Sequence, residues 1–217
     1  MKTRYHIPIT ILLLLTPIIL SAQQSVYTFP FENAYRLPAM QTFINTEDIA
    51  NTYQTMGNIY TTEITGLGDE KMEQTSMTFI SDAKVVDAIR FLEFYLEDHL
   101  LAPGDDPSGL VEMSIIYYHE YFRINVGTVL GVLTFGLGTL FGIPFATSIT
   151  DVEVEASFFN EEEYLIGTHR GVGRGKKLQT LYNMSTRKAH QRAIKEALDN
   201  LNTSIMTDPD LPDVAAH

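Results

Sequence analysis

The chain has 217 residues, 15 Lys and Arg against 27 Asp and Glu, a net charge of −12 and no cysteine. That acidity excludes the overall electrostatic footprint of a nucleic-acid binder. The missing thiols exclude a disulfide framework, cysteine catalysis and lipid attachment through an N-terminal cysteine.

Residues 1–22 read as a secretory signal peptide. Lys2 and Arg4 precede the apolar core Ile11-Leu-Leu-Leu-Leu15, and Ile18-Ile-Leu-Ser-Ala22 leads to a cut after Ala22. An uncleaved anchor is the alternative, and the core is short for one. An exported protein without disulfides rests on a packed core or on partners. Residues 23–75, aromatic and polar without a clear period, read as an extended N-terminal segment with one short strand or helix. Ser76 to Ile80 reads as a short strand.

From 76 to 206 the pattern predicts an α+β domain. Ser81 and Asp82 offer an N-cap, and Val85, Ile89, Leu92, Leu96 and Leu100 follow at helical spacing over 82–101. Pro103, Gly104 and Pro107 stop that helix. Residues 110–124 are β-branched and aromatic; strict alternation places Val111, Met113, Ile115, Tyr117 and His119 on one face. Asp151–Phe159 alternates with Val152, Val154, Ala156 and Phe158 inward, Asn160–Glu163 turns, and Tyr164–Val172 returns as the partner strand. A second amphipathic helix covers 186–205, its stripe formed by Ala189, Ala193, Ile194, Ala197, Leu198, Leu201 and Ile205. Arg187 and Lys188 sit at its start, where the helix dipole disfavours cations, which is a local inconsistency. Residues 207–217 read as a disordered acidic tail. The expected fold is an antiparallel sheet with both helices on one face and a glycine-rich apolar excursion between strands.

That excursion, Ile124 to Thr150, has five glycines, Pro144 and no Asp, Glu, Lys, Arg or His. It is long enough to span a bilayer, so an integral membrane protein with one helix over 124–150 is an alternative reading. The strands on either side then could not pair, and the flank beyond has no basic residue before Arg170 to hold it in the cytoplasm. The preferred reading is a dip into one leaflet or onto a hydrophobic partner through Val129, Leu130, Leu133, Phe135, Leu137, Leu140, Phe141, Ile143 and Phe145.

Between His169 and Lys195 there are eight cations and no acid. One reading is neutralisation against Asp151, Glu153, Glu155 and Glu161–Glu163 across the hairpin. The other is anionic contact through Arg170, Arg174, Lys176, Lys177, Arg187 and Lys188. Gly171–Lys177 fails as a phosphate-binding P-loop: residue 170 is Arg where glycine is required, and Lys177 replaces Ser or Thr. It reads as a mobile basic turn. His119 and Glu120 point to opposite faces of a strand, so no metal, cofactor or nucleophile constellation emerges. A hydrolase using Tyr117, His119 or His169 is a further alternative.

Gly142-Ile-Pro144, the alternating strand after it, Tyr164-Leu-Ile-Gly-Thr-His169, Tyr182-Asn-Met-Ser185 and Arg187-Lys-Ala189 before an Ala/Leu-rich helix resemble a widespread group of uncharacterised exported proteins of Gram-negative envelopes. More distantly, the pattern is similar to small outer-membrane lipoproteins with a helix-strands-helix fold, although the lipidated cysteine is missing. The resemblance implies this fold and a periplasmic or outer-membrane-associated location; with no catalytic constellation in the sequence, the preferred reading is a non-enzymatic binding or assembly module, partnered by an envelope protein or a membrane surface. It leaves the oligomeric state open.

Overall fold

The computed structural model describes residues 37–56, 59–65, 71–77, 82–104, 106–124, 128, 133, 136–208 and 211, with the backbone alone for 56, 59–65, 71–77 and 82. Residues 1–22, expected as a signal peptide, residues 23–36 and, of the expected acidic tail, 209–210 and 212–217 lie outside them. Leu211 of that tail is buried.

The domain is α+β, built on one six-stranded sheet. Its strands are β1 (Gln41–Ile44), β2 (Ile59–Thr65), β3 (Lys71–Met77), β4 (Leu110–Ile124), β5 (Ala146–Phe159) and β6 (Leu165–Gln179). Its helices are α1 (Thr46–Met56), α2 (Asp82–Tyr95, continued by a wider π turn Leu96–Leu100), the short α3 (Leu137–Leu140) and α4 (Arg187–Met206). The order is β3-β2-β4-β5-β6, and β1 also pairs with β4. Strands β4, β5 and β6 form the expected antiparallel meander. However, β1 and β2 lie parallel to β4 on its other edge, at Leu110–Met113 and Tyr121–Arg123 respectively, so the sheet is mixed. Parallel pairing requires a crossover, which α1, β3 and α2 supply before the chain enters β4. Residues 37–77 are therefore not an extended segment: they add three strands and a helix to the sheet. Their polar strands lack the apolar alternation that identifies β5.

A bulge corrects the faces of β4. The register slips between Ile115 and Tyr117, so Val111, Met113 and Ile115 face the core before it and Tyr118 and Glu120 after it. The extra residue Ile116 reverses the parity of everything downstream, and Tyr117 and His119 fall on the outer face.

The strand β6 is also longer than its sequence suggests, running through the glycines to Gln179 instead of turning at Val172. A Cβ on Gly171, Gly173 or Gly175 would lie 2.0 Å from Ala197 O, 2.0 Å from Ala193 O and 1.7 Å from Ala189 O. Thus α4 rests its backbone directly on the strand. Two strand residues rise about 6.6 Å and four helix residues about 6.0 Å, so the glycine and alanine ladders stay in step. A parallel polar ladder closes the outer edge of β6: Arg192 Nη1 donates to Lys176 O at 2.7 Å, Asn200 Nδ2 donates to Val172 O at 2.6 Å, and Glu196 Oε2 accepts from Arg174 N at 3.2 Å. These three edge groups, which could otherwise recruit another strand, are satisfied within the chain.

Helices α2 and α4 bury their stripes on one face of the sheet, with Phe91, Leu92, Tyr95, Ile194, Leu198 and Leu201 fully enclosed. Leu198→Asp or Leu92→Asp places an unpaired charge there, at a cost of several kcal/mol. Either variant is expected to lose its cooperative thermal transition by circular dichroism; a normal melt would contradict this packing.

Candidate functional site

Two groups of polar and apolar residues stand out, one sealed in the core and one exposed at an end of the sheet. In the core, Lys84 of α2 forms an ion pair with Glu120, whose side chain is 0% exposed. Tyr118 Oη donates to Glu120 Oε2 at 2.7 Å, and Lys84 Nζ reaches Tyr118 Oη at 3.2 Å. Tyr53 of α1 stacks on Tyr118 with centroids 4.3 Å apart and meets His190 Nε2 at 2.6 Å. Burial, then the neighbouring Lys84 charge, depress His190 to about 3, so its imidazole stays neutral. Burial together with the Asp87 and Glu120 charges pushes Tyr53 well above the ordinary phenol range, keeping its hydroxyl protonated.

Arg187 explains the local inconsistency at the start of α4. Its guanidinium grips Asp87 of α2 with two hydrogen bonds at 2.5 and 2.6 Å, and Gln191 adds a third at 3.2 Å. Burial works to raise Asp87, but the Arg187 fork overrides it and holds the carboxyl below its usual range. This group pins α1, α2 and α4 to the sheet and to each other.

The exposed group lies where β4 ends and β5 begins. Ile124 and Ala146 are direct register partners, so the apolar run leaves and returns at one end of a single hairpin. The spanning reading of 124–150 is thereby corrected: its last residues, Ala146–Thr150, belong to β5, and among the described residues no helix is long and apolar enough to cross a membrane. A hairpin needs only two to five connecting residues, and a connection this long is usually functional. Of the residues expected at the contact, Phe141 is 85% exposed, with Leu133, Leu137, Leu140 and Ile143 also exposed. Phe145 is half-buried and donates its N–H to Gln179 O at 3.0 Å. Val129, Leu130 and Phe135 lie outside the described residues.

The turn after β6 meets this tip. Tyr182 Oη donates to Leu140 O at 2.5 Å, and Leu181, Tyr182 and Met184 are exposed beside it. These three were not anticipated, because nothing in their local sequence links them to a loop forty residues earlier. Lys177 borders the turn, donating to Asn183 Oδ1 at 2.5 Å and Ser185 O at 2.6 Å. Partial burial and the nearby Lys188 and Arg192 charges lower its pKa. Arg192, held at Lys176 O, completes a collar with Lys176, Lys177 and Lys188 for which no carboxylate lies within ion-pair distance among the described residues.

The remaining expected anionic contacts are engaged elsewhere. Arg170 pairs with Glu155 at 2.6 Å, and Arg174 holds Asp151 with two bonds at 2.6 and 3.0 Å. These are the cross-hairpin pairs of the neutralisation reading, and Arg187 is committed to Asp87. Tyr117, His119 and His169 do not converge. His169 is buried on the core face against Phe158, with Ser204 Oγ 3.2 Å from Nδ1, whereas the other two face outward. Among the described residues no group of three or more His, Cys, Asp or Glu is arranged to hold a metal ion.

No family model matches the chain, and no curated protein matches it. A solved structure that it resembles is protein XCC0632 from Xanthomonas campestris, of the family model DUF330. That likeness has a TM-score of 0.38 and 8% identity, over 82% of this chain and 90% of the other.

Proposed function

We propose that this protein is a non-enzymatic cell-envelope binding or assembly module, exported to the periplasm or the outer membrane, that seats peripherally on an anionic membrane through the tip between β4 and β5. The observation that supports the reading is the coincidence at one end of the sheet of an exposed apolar tip and a cationic collar with no carboxylate in ion-pair distance among the described residues. Inserted Leu and Phe side chains each contribute about 1.5–3 kcal/mol when fully buried. Each Lys or Arg near an anionic leaflet adds about 1 kcal/mol. The rest of the chain is strongly acidic and is repelled by the same surface, which fixes the orientation.

Flotation with vesicles containing phosphatidylglycerol, compared with pure phosphatidylcholine, tests this. Binding should favour the anionic vesicles and weaken as the Debye length shrinks from about 10 Å at 0.1 M salt to about 3 Å at 1 M. Lys176→Glu with Lys177→Glu and Lys188→Glu should remove the lipid preference. Leu140→Asp with Phe141→Asp should abolish binding at any salt. Equal binding to both vesicle types, untouched by either set, would contradict the proposal.

A further inference from the structure

The face of the sheet opposite α4 carries a second arrangement that membrane docking does not use. Past the bulge, Tyr117, His119 and Tyr121 form a row along β4, with ring centroids 6.5 Å apart for the first pair and 5.6 Å for the second. Register places Glu153 beside Tyr117 and Asp151 beside His119, with Arg174 across from Asp151 on β6. Two troughs border this face. One, of about 590 Å³, is bounded by Tyr117, Asp151, Glu153, Val172 and Arg174 and reaches round the β6 edge to Glu196 of α4. The other, of about 340 Å³, is bounded by Asn51, Ser114, Glu155 and Ser157 among others. Glu153 and Glu155 are successive outward residues of β5, so the two adjoin.

We infer that this face binds a β-linked chain of neutral or N-acetylated sugars. Such a chain is a flat ribbon whose pyranose rings present C–H faces to aromatic rings; His119 and Tyr121 stack on each other, so Tyr117 at the end of the row is the ring that receives a sugar face. Tyr117 supplies the most open ring of the row, 40% exposed. Sugar hydroxyls both donate and accept, and the wall beside Tyr117 offers both functions: carboxylate oxygens of Asp151 and Glu153 and guanidinium N–H groups of Arg174, with the Ser157 hydroxyl in the adjoining trough. A cationic ligand is the competing reading of the carboxylate column. It is disfavoured on β5, where Arg174 and Arg170 already neutralise Asp151 and Glu155 at 2.6 Å; Glu196, Asp48 and Glu112 at the margins of the troughs are the carboxylates such a ligand would use. A phosphorylated or uronic-acid chain would meet the carboxylates unfavourably.

The full chain should be titrated with chitohexaose and with cellohexaose by calorimetry, with amide shifts recorded by NMR. The expected result is binding of at least one oligosaccharide in the micromolar to millimolar range, with shifts centred on Tyr117, Asp151 and Arg174. Tyr117→Ala should weaken it at least tenfold with an unchanged melt, while Tyr117→Phe, which keeps the ring, should bind like the parent. Absence of binding to both sugars, binding unaffected by Tyr117→Ala, or shifts confined to the β4–β5 tip would overturn the inference. A decalysine peptide that shifts the same amides where neither sugar does would assign the face to a cationic partner instead.

Discussion

Gly173→Leu is expected to leave the chain without a cooperative folded state, and Gly173→Ala to destabilise it severely. A Cβ at this position would lie 2.0 Å from Ala193 O and 2.3 Å from Ala197 N, both backbone atoms of α4. No rotamer change relieves such a contact; the helix itself must lift off β6. Lifting it would part the Gly171–Ala197 and Gly175–Ala189 contacts and the polar ladder of Arg192, Glu196 and Asn200 along the strand edge. Overpacking typically costs about 1–3 kcal/mol where side chains can yield. A clash with backbone belongs at or beyond the top of that range, while a whole domain is stable by only about 5–15 kcal/mol. For alanine this corresponds to a melting temperature lower by roughly 6–12 °C. Val172→Leu, one residue away on the outer face, should change stability by no more than about 0.5 kcal/mol. Thermal melts of the three variants check the helix-on-glycine packing, and a benign Gly173→Leu would refute it.

Lys84→Met should be nearly as damaging, for an electrostatic reason. Glu120 is fully buried, and its charge is balanced by Lys84, with Tyr118 as its hydrogen-bond donor and Ser148 Oγ at 3.4 Å. Removing the ammonium leaves an uncompensated buried carboxylate, which costs about 3–5 kcal/mol. Adding Glu120→Leu removes the charge that was stranded, so the double variant should recover most of that loss. Urea denaturation of the parent, both single variants and the double variant reads the coupling directly. Additive losses would mean that the pair is not the unit described here.

Both amphipathic helices were legible in the sequence, because Leu92, Leu96 and Leu100, and likewise Ala193, Ala197 and Leu201, repeat at the period of a helix that buries one face. The alternation of β5 was equally plain: Val152, Val154, Ala156 and Phe158 all face the core. Reading failed where one residue changes a period or where two distant patterns must be seen together. Ile116 is an ordinary strand residue, and nothing local shows that it bulges and turns Glu120 into the core. Gly171, Gly173 and Gly175 look like a turn by composition; their period of two has meaning only against Ala189, Ala193 and Ala197. The cation Arg187 was visible as a mismatch with the α4 dipole, but its partner Asp87 lies a hundred residues earlier. The apolar tip and the basic span were each conspicuous, and the β5–β6 hairpin is what sets them side by side.

Because the chain contains no cysteine, a single one can be placed anywhere and labelled uniquely. An environment-sensitive fluorophore at Phe141→Cys probes the tip, and one at Glu162→Cys probes the turn at the far end of the β5–β6 hairpin. Fourteen residues of β5 separate the two ends, a distance of about 45 Å at the usual strand rise. With phosphatidylglycerol vesicles, the label at 141 should shift to an apolar emission and become shielded from an aqueous quencher, while the label at 162 stays in water. Equal responses at the two positions, or none at 141, would contradict docking through the tip.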